Sequence, residues 1–426
     1  MKRFLLVLVM LVIAGSAFAA ELKVSGDFYV RGTHWSNKDL ADDGDDAKYD
    51  YFDYDLNVNA AFVANEKATV FTKLTFDKNV DQEGTVADGG ASSNDVGLAL
   101  ERAYLNYKFA PFLQLNTGLM AGGQWATTFG DTEINVMRVQ FIGALSEDMI
   151  FIATYQKDNE NGYTADDPDD NEKDDQQTYY LSAILKTGPV TFKPLFTYIQ
   201  MGLNYEQGRI AAFDKYDATA MAFTLGINGD FGMVGFESEF VYVDMDTDGF
   251  YDDGAALAAA LGIDNPAETM GAYDGGTYGA YVNLFAKLEP ATVGFVYAYA
   301  SADDKDGYYS WGEDFDIAYV MDDFINNGDT SNLTLYGDNL IGFSAYKLYA
   351  DAKFDKILAG AAVIYGASNI KDDDATFTEI DAYVAYAFDD NTKYTIGGGY
   401  AMTEDFMNDG DSADAYRIFN KFAVKF

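Results

Sequence analysis

The chain has 426 residues, of which 49% are hydrophobic and 16% aromatic, and its formal net charge is −41. It contains no cysteine, which excludes disulfide bonds, thiolate metal sites and a cysteine nucleophile. The acidic balance disfavours nucleic acid as a partner, because binding nucleic acid requires basic surface. The aromatic content is too high for a disordered chain, and no Pro/Gly/Ser-rich linker divides it into separate domains.

The N-terminal segment has the layout of a secretory signal peptide. Two basic residues precede a short apolar run and an Ala-Phe-Ala cleavage site that ends at Ala19. We therefore predict a signal peptide over residues 1–19 and one domain over residues 20–426. The apolar run is too short to span a bilayer comfortably, and no later stretch reaches ~18 uninterrupted apolar residues. A membrane fate would then require a closed β-barrel.

Segments of about ten residues with alternating apolar and polar side chains recur along the chain. Residues 51–62 place Phe52 and Leu56 on one face and Asp53 and Asp55 on the other, and residues 22–31 and 376–388 repeat the pattern. Side chains alternate across a strand, so one face suits lipid and the other suits water. A soluble β-sandwich shows the same alternation, and periodicity therefore leaves both folds open.

The lengths of the connections separate these two folds. Eight short links alternate strictly with nine longer, mostly acidic ones, which gives 18 strands. Outer-membrane barrels have short periplasmic turns and long external loops, whereas a sandwich has no reason to sort its loops by length. We predict an all-β, antiparallel up-and-down transmembrane β-barrel of 18 strands, with 16 as the alternative count. The short links lie at 65–67, 110–112, 145–148, 187–189, 228–232, 289–291, 355–356 and 389–391, and the long links near 36–48, 79–95, 121–133, 158–176, 201–216, 244–276, 301–339, 369–375 and 403–414.

The last strand, residues 415–426, alternates apolar side chains with Arg417, Lys421 and Lys425 and ends on Phe426. With the signal peptide, the opening ELKVSGDFYVRG and the strand LERAYLNYKFA, it makes the chain resemble a Gram-negative outer-membrane porin. The resemblance implies a water-filled channel in the outer membrane for passive diffusion of ions and small hydrophilic solutes. It implies no enzymatic activity and no cofactor, and it leaves a homotrimer open.

One residue departs from the pattern of this resemblance. Glu101 falls on the otherwise apolar face of its strand, where a charge at the bilayer midplane would be costly. A β-bulge, a position at the membrane interface or a subunit contact would each accommodate it, and the sequence does not choose between them.

Two segments are candidates for narrowing the pore. Residues 121–133 are similar to the constriction loop of general porins, where loop acids face basic wall residues. On that resemblance Asp131 and Glu133 would face wall arginines, although an ordinary short loop is an equal alternative. Residues 301–339 carry many aromatic residues, for which packing within the lumen is favoured over stacking on sugar rings. The wall arginines are Arg31, Arg102 and Arg138.

The charge distribution predicts a preference for cations. Loops 36–48, 158–176, 244–276 and 301–339 together hold 32 acids against 4 basic residues, so the outer mouth is strongly negative. Such a field concentrates cations at an entrance, within a screening length of ~8–10 Å. Acids predicted to face the lumen add to it: Asp53, Asp55, Glu237, Glu239, Glu379 and Asp381.

Loop 244–276 contains a partial calcium motif. Asp244, Asp246, Asp248 and Asp252 match the opening of a DxDxDG loop, but Ala255 stands where the bidentate Glu belongs. A chance match in an acidic loop is therefore favoured over a weak Ca²⁺ site.

Other functions compete with a general diffusion pore. His34 is the single histidine and could act as a base only with Asp39 or Asp42, a pairing that no catalytic spacing supports. The alternatives that stay open are a saccharide- or other substrate-selective porin, and a closed structural or adhesion barrel with calcium-binding surface loops.

Overall fold

The computed structural model describes residues 21–37, 48–81, 97–130, 134–159, 176–202, 217–246, 275–303, 307–308, 312, 315–321, 342–369, 374–404 and 412–426. Within them, an 18-stranded antiparallel sheet closes on itself, because the first strand pairs with both the second and the last. Among these residues no helix is long and apolar enough to cross a membrane.

The strands follow one another around the barrel in chain order. The first ten are β1 (Glu21–Ser36), β2 (Lys48–Val63), β3 (Ala68–Asp81), β4 (Gly97–Ala110), β5 (Leu113–Gly122), β6 (Ile134–Ser146), β7 (Met149–Asn159), β8 (Gln176–Thr187), β9 (Val190–Gly202) and β10 (Asp217–Asp230). The remaining ones are β11 (Val234–Asp246), β12 (Gly275–Leu288), β13 (Ala291–Ala300), β16 (Phe343–Phe354), β17 (Ile357–Ser368), β18 (Thr376–Ala387), β19 (Thr392–Glu404) and β20 (Ala413–Lys425). A separate hairpin, β14 (Ala302–Asp303) and β15 (Gly307–Tyr308), lies between β13 and β16, and a 3-10 turn (Thr128–Gly130) precedes β6.

The predicted count of 18 strands and the alternation of short and long links are confirmed. Every predicted short link joins two paired strands at one end of the barrel. Side-chain turns close several of them: Asn65 accepts from the backbone N–H of Ala68 at 3.0 Å, and Asp389 accepts from that of Asn391 at 2.8 Å. Glycine provides the left-handed residue elsewhere, with φ of +56° at Gly188 and +86° at Gly232.

The C-terminal strand completes the closure. Gly26 of β1 and Phe426 exchange backbone hydrogen bonds of 2.8 and 2.9 Å, so the ladder runs to the last residue. The Phe426 ring covers Gly26 closely: a Cβ at Gly26 would lie 2.6 Å from Cζ of Phe426. The terminal aromatic residue therefore packs on the seam where the barrel closes.

The outer face of the barrel is apolar, as a lipid-facing surface must be. Leu348, Val363 and Val384 are at least half exposed in the middle of their strands. Aromatic pairs stand at both ends: Tyr278 stacks on Tyr299 with centroids 5.5 Å apart at the loop end, and Tyr386 contacts Phe388 edge-on at 5.1 Å at the turn end. Such girdles mark the two interfaces of a membrane barrel.

A β-bulge accounts for Glu101. The β3–β4 register passes from the pair Lys73 and Arg102 to the pair Leu74 and Leu100, which leaves Glu101 as the extra residue. Its carboxylate then forms an ion pair of 2.5 Å with Lys73, in which both side chains are about one-fifth exposed. The bulge removes Glu101 from the lipid face and is the accommodation that the structure selects.

Candidate functional site: the lumen and its two inward segments

The inner face of the wall is polar, and the exposure of neighbouring residues shows which side chains point into the barrel. Ile380 on the outer face of β18 is 51% exposed, whereas Glu379 beside it is 0% exposed. Across β4 to β7 the inner face forms a ladder of amides. Asn106 donates to Asn116 at 2.6 Å, Asn116 to Gln140 at 3.0 Å and Gln140 to Thr154 at 3.3 Å. These side chains provide a wettable wall on that side.

The first inward segment, residues 123–130, follows β5 in the connection to β6 and lies inside the barrel against β9, β10 and β11. The backbone N–H and the hydroxyl of Thr127 donate to the Glu239 carboxylate of β11 at 2.8 and 2.5 Å. Trp125 Nε1 donates to the Lys193 carbonyl, and Lys193 Nζ donates to the Ala126 carbonyl, both at 3.0 Å. Gly226 allows this approach, since a Cβ there would collide with that of Ala126.

The second inward segment, residues 315–321, belongs to the long connection between β13 and β16. The backbone N–H groups of Tyr319 and Val320 donate to Oε1 of Glu379 at 2.7 Å each, and that of Met321 donates to Oε2 at 2.8 Å. Lys347 Nζ donates to the Ile317 carbonyl at 2.7 Å, and Arg417 donates to the Tyr319 carbonyl at 3.0 Å.

Further contacts join this segment to the wall. The Tyr319 ring meets Phe419 edge-on at 5.2 Å. Burial raises the pKa of the Tyr319 hydroxyl to about 12, and the neighbouring carboxylates of Asp381, Asp351 and Asp316 add to the rise. Tyr319 is therefore neutral throughout the physiological range.

An aromatic joint connects the two inward segments. Phe129 stacks on Tyr281 of β12 with centroids 5.7 Å apart, and Phe315 meets both rings edge-on at 5.3 and 5.4 Å. The Gly312 N–H donates to the Phe129 carbonyl at 2.8 Å. At the described positions, the burial of these rings agrees with the expectation that the aromatic residues of 301–339 pack within the lumen.

This joint is part of a buried apolar cluster inside the barrel. The cluster lies toward the loop end, because its wall residues come from the last part of β13 and β17 and the first part of β16, β18 and β20. Apolar side chains bury most favourably against one another, which fixes the segment against that wall. The wall members are Trp35, Val296, Ala298, Ala300, Phe343, Ala345, Ala362, Ile364, Phe377, Ala401, Ala413 and Ala415.

The six acids named from the sequence lie on wall strands, and protein groups engage most of them. Asp53 pairs with Arg31 at 2.9 Å, Asp55 accepts from Asn57 at 3.0 Å, and Glu237 accepts from Tyr281 at 2.8 Å. Glu239 and Glu379 bind the two inward segments, and Asp381 is 4% exposed beside Glu379. The role of Glu239 and Glu379 as hydrogen-bond acceptors for the loop backbone was not evident from the sequence.

The predicted constriction residues are placed only in part. Asp131 and Glu133 lie outside the described residues. Arg138 donates to the Ala121 carbonyl at 2.6 Å, and Arg102 donates to Asn135 at 3.3 Å, so both contact the wall near the ends of the first segment. Lysines also lie on the inner face of the wall, in addition to the three arginines named from the sequence. They include Lys73, Lys193 and Lys421, the last with its ammonium 3.7 Å from the Tyr29 ring centre.

The structure describes His34 and only part of the calcium motif. Asp244 is exposed near the end of β11, whereas Asp248 and Asp252 lie outside the described residues, as does the side chain of Asp246. The described part of the chain holds no group of three or more His, Cys, Asp or Glu suited to a metal ion. His34 contacts Asp50 at 2.6 Å and Tyr416 at 3.3 Å, whereas Asp39 and Asp42 lie outside the described residues.

Several solved structures share this fold over nearly the whole chain. OccK9 (OpdG) of Pseudomonas aeruginosa has a TM-score of 0.55 at 13% identity, covering 95% of this chain and 99% of its own. The outer membrane protein OprD of the same organism has a TM-score of 0.52 at 11% identity, covering 95% and 94%. OccAB1 of Acinetobacter baumannii has 0.54 at 12%, covering 95% and 97%. The chain has an outer-membrane β-barrel fold. No family model and no curated protein matches the sequence.

The predicted fold and the resemblance to outer-membrane porins are therefore confirmed at the level of architecture. The similar structures bear the names OprD and Occ, and the likeness to them is one of architecture. Identities of 9–13% carry the fold alone, so the solutes of those proteins are not transferred to this chain.

Proposed function

We propose that this protein is an outer-membrane channel for small hydrophilic solutes, with a bore narrowed enough to restrict which solutes pass. The observation that carries the proposal is that two segments enter the lumen and are bound to the inner wall, through Glu239 and Glu379. Backbone held at fixed points inside a barrel limits the passage by size and hydrogen bonding, the usual origin of selectivity in pores.

The path for solute runs along the wall that the second inward segment leaves uncovered. The apolar cluster covers the loop end of β13 and β16–β20, whereas β4–β7 present the ladder from Asn106 to Thr154. Amides and hydroxyls replace the hydration of a passing solute, and apolar side chains do not. Water and solute therefore follow the amide side.

The preference for cations arises at the mouth in this proposal. The four acidic loops carry most of the net charge. The described wall acids are engaged in hydrogen bonds or ion pairs, and inward lysines such as Lys421 oppose them. The outer field then attracts cations, while the inner wall adds little to that preference.

Reconstitution tests the channel directly. Purified protein in a planar bilayer should give discrete conductance steps smaller than those of an open 18-stranded barrel. Replacing residues 304–341 by a short Gly-Ser linker should raise the conductance several-fold and admit larger sugars in liposome swelling. Replacing the external loop 160–175 by the same linker is the control and should leave the size limit unchanged.

Two outcomes would contradict the proposal. Absence of conductance in folded, heat-modifiable protein would favour the closed structural barrel. An unchanged size limit after removal of residues 304–341 would show that the second inward segment does not restrict the bore. Swelling that is fast for one sugar series alone would favour the saccharide-selective alternative.

A further inference from the structure

A pair of stacked aromatic rings lies on the inner face of the wall, beside the ladder of amides. Phe71 of β3 stacks on Tyr104 of β4, with ring centroids 5.1 Å apart and 22° between the ring planes. Tyr104 is two residues from Asn106 of the ladder, and alternate side chains share one face of a strand. Tyr104 is partly exposed. Because Phe71 covers the ring on the β3 side, the open ring face of Tyr104 lies on the β5 side.

A gap in the row of inward side chains lies next to that open face. Tyr104 pairs with Gly118 of β5, and Gly118 pairs with Arg138 of β6, so the residue between the two long side chains has no side chain. Gly118 has a φ of +132°, and a Cβ there would collide with the carbonyl oxygen of Ala103. Neighbouring strands are about 4.7–4.9 Å apart, so the Tyr104 and Arg138 backbones are separated by roughly 9–10 Å. This slot has room for one flat ring against Tyr104.

The amide ladder forms the side of the slot toward the turn end. Asn116 pairs with Asn106 and with Gln140, one inward position below Tyr104, Gly118 and Arg138. Each amide group has two N–H donors, and the ladder uses one from each of the three residues. Three N–H groups and the Asn106 carbonyl oxygen are therefore available to hydroxyl groups of a bound molecule.

The charges around the slot are largely committed to protein partners. Arg138 donates to the Ala121 carbonyl at 2.6 Å, and its guanidinium lies 5.2 Å from the centre of the Tyr180 ring. Glu101 forms its ion pair with Lys73. The ring of Tyr104 and the amides are uncharged, so the slot suits an uncharged ligand. Lys108 is exposed one inward position beyond Asn106, and an anionic ligand therefore has to be included in the test.

We propose that this slot is a binding subsite for a neutral pyranose sugar. The C–H face of the sugar ring stacks on Tyr104, because the electron-rich face of an aromatic ring attracts polarised C–H groups. Hydroxyl groups at the sugar edge exchange hydrogen bonds with Asn106, Asn116 and Gln140, which replace their hydration. A sugar as the transported solute rests on the proposed channel function, but binding at the slot can be measured without conductance.

Saturation-transfer NMR tests the subsite in protein folded in a detergent without a sugar headgroup. Glucose, galactose, mannose and maltose are the neutral probes, and transfer to at least one of them should favour the C–H protons on one face of the ring. Sorbitol is the matched control ligand, since it carries similar hydroxyl groups on an open chain without a ring face, and it should receive little transfer. Glucuronate adds a carboxylate to the same ring and tests for an anion site.

Four variants assign the signal to the slot. Tyr104→Ala should weaken binding about tenfold, whereas Tyr104→Phe keeps the ring and should bind as the unmodified protein does. Asn116→Leu removes the central amide and should weaken binding several-fold. Tyr346→Ala removes a tyrosine from the lipid face and should have no effect. Heat-modifiable migration shows for each variant that the barrel is folded.

The outcomes separate the subsite from the channel. Transfer that depends on Tyr104 in protein that never conducts would support the subsite and contradict the channel. Conductance without transfer to any neutral probe would support the channel and overturn the subsite. Transfer to glucuronate alone would show an anion site, and equal transfer to sorbitol would show that no ring face is recognised. Binding that is unchanged in Tyr104→Ala would place the sugar elsewhere. Each of these last three results overturns the proposal.

Discussion

The two inward segments are attached to the wall in different ways. The first, residues 123–130, lies in the short connection between adjacent strands and is held by one carboxylate, Glu239, and by Lys193. The second, residues 315–321, lies within a much longer connection and is held by a carboxylate, a lysine and an arginine. A longer connection loses more conformational entropy when one part of it is fixed. The second segment therefore needs stronger anchors than the first.

The comparison also changes the meaning of the lumen acids. Glu239 and Glu379 both lie on wall strands and both accept backbone N–H groups of an inward segment. The N–H dipoles then offset much of their charge as seen by a passing ion. The buried wall acids therefore anchor the inward segments, and under the proposed function they locate the constriction rather than supply its field.

The largest effect on this comparison should come from the aromatic joint. Phe315→Ala removes a ring that packs on Phe129 and Tyr281, and loss of a buried Phe typically costs about 3–5 kcal/mol. The second segment should detach in a large fraction of molecules, and conductance should rise several-fold. A cysteine introduced in place of Val320, which is 0% exposed, should then react rapidly with a hydrophilic maleimide. Phe141→Ala, on the lipid face, is the control. Unchanged labelling would show that the polar anchors alone hold the segment.

A smaller effect should reveal coupling between the segments. If the joint transmits stability, the double variant Phe129→Ala/Phe315→Ala should be less disruptive than the two single effects added together. The expected coupling is about 0.5–1.5 kcal/mol, the range for an edge-to-face pair. Thiol labelling at position 320 provides the free energy of opening for each variant. Strict additivity would mean that the segments open independently.

The first segment should respond to a single hydroxyl. Thr127→Val removes the donor that contacts Glu239 at 2.5 Å but keeps the backbone N–H bond, so we expect about 1–3 kcal/mol of local destabilisation. Single-channel recordings should show more noise and a modest rise in conductance, less than for Phe315→Ala. Thr127→Ser keeps the hydroxyl and should behave as the unmodified protein. An effect of Thr127→Ser as large as that of Thr127→Val would show that loss of the hydroxyl alone does not account for the change.

The fold was accessible from the sequence because it depends on local patterns. Alternation of side chains and the lengths of the links are properties of neighbouring residues, and they predicted the number of strands in the closed sheet. The closing aromatic residue, Phe426, was likewise visible at the end of its strand. Glu101 also stood out from the apolar pattern, although only the register of β3 and β4 shows that it is a bulge.

The anchors of the site were not accessible because they pair residues distant in the chain. Thr127 and Glu239 are 112 residues apart, and Val320 and Glu379 are 59 apart. An inward acid on a strand looks the same in sequence whether it faces water or binds a loop. Gly226 leaves room for Ala126 of the first segment, and Gly399 leaves room for the carboxylates of Glu379 and Asp381. These glycines could not have identified the contacts in advance, because a lone glycine in a strand also marks a bulge or a tight bend.

The smallest effect concerns the origin of the preference for cations. Asp131 and Glu133 follow a segment that lies inside the barrel, so their charges should act at closer range than the acids of loop 158–176. Replacing them by Asn and Gln should shift the reversal potential under a salt gradient by more than removal of two acids from that loop. High salt should weaken both effects, because exposed charges are screened within ~8–10 Å. Equal shifts would mean that the mouth acts as a whole and that the first segment is not the narrowest point. In that case the second segment, which is bound to Glu379, defines the constriction. A preference for anions would overturn the interpretation that the acidic residues attract cations.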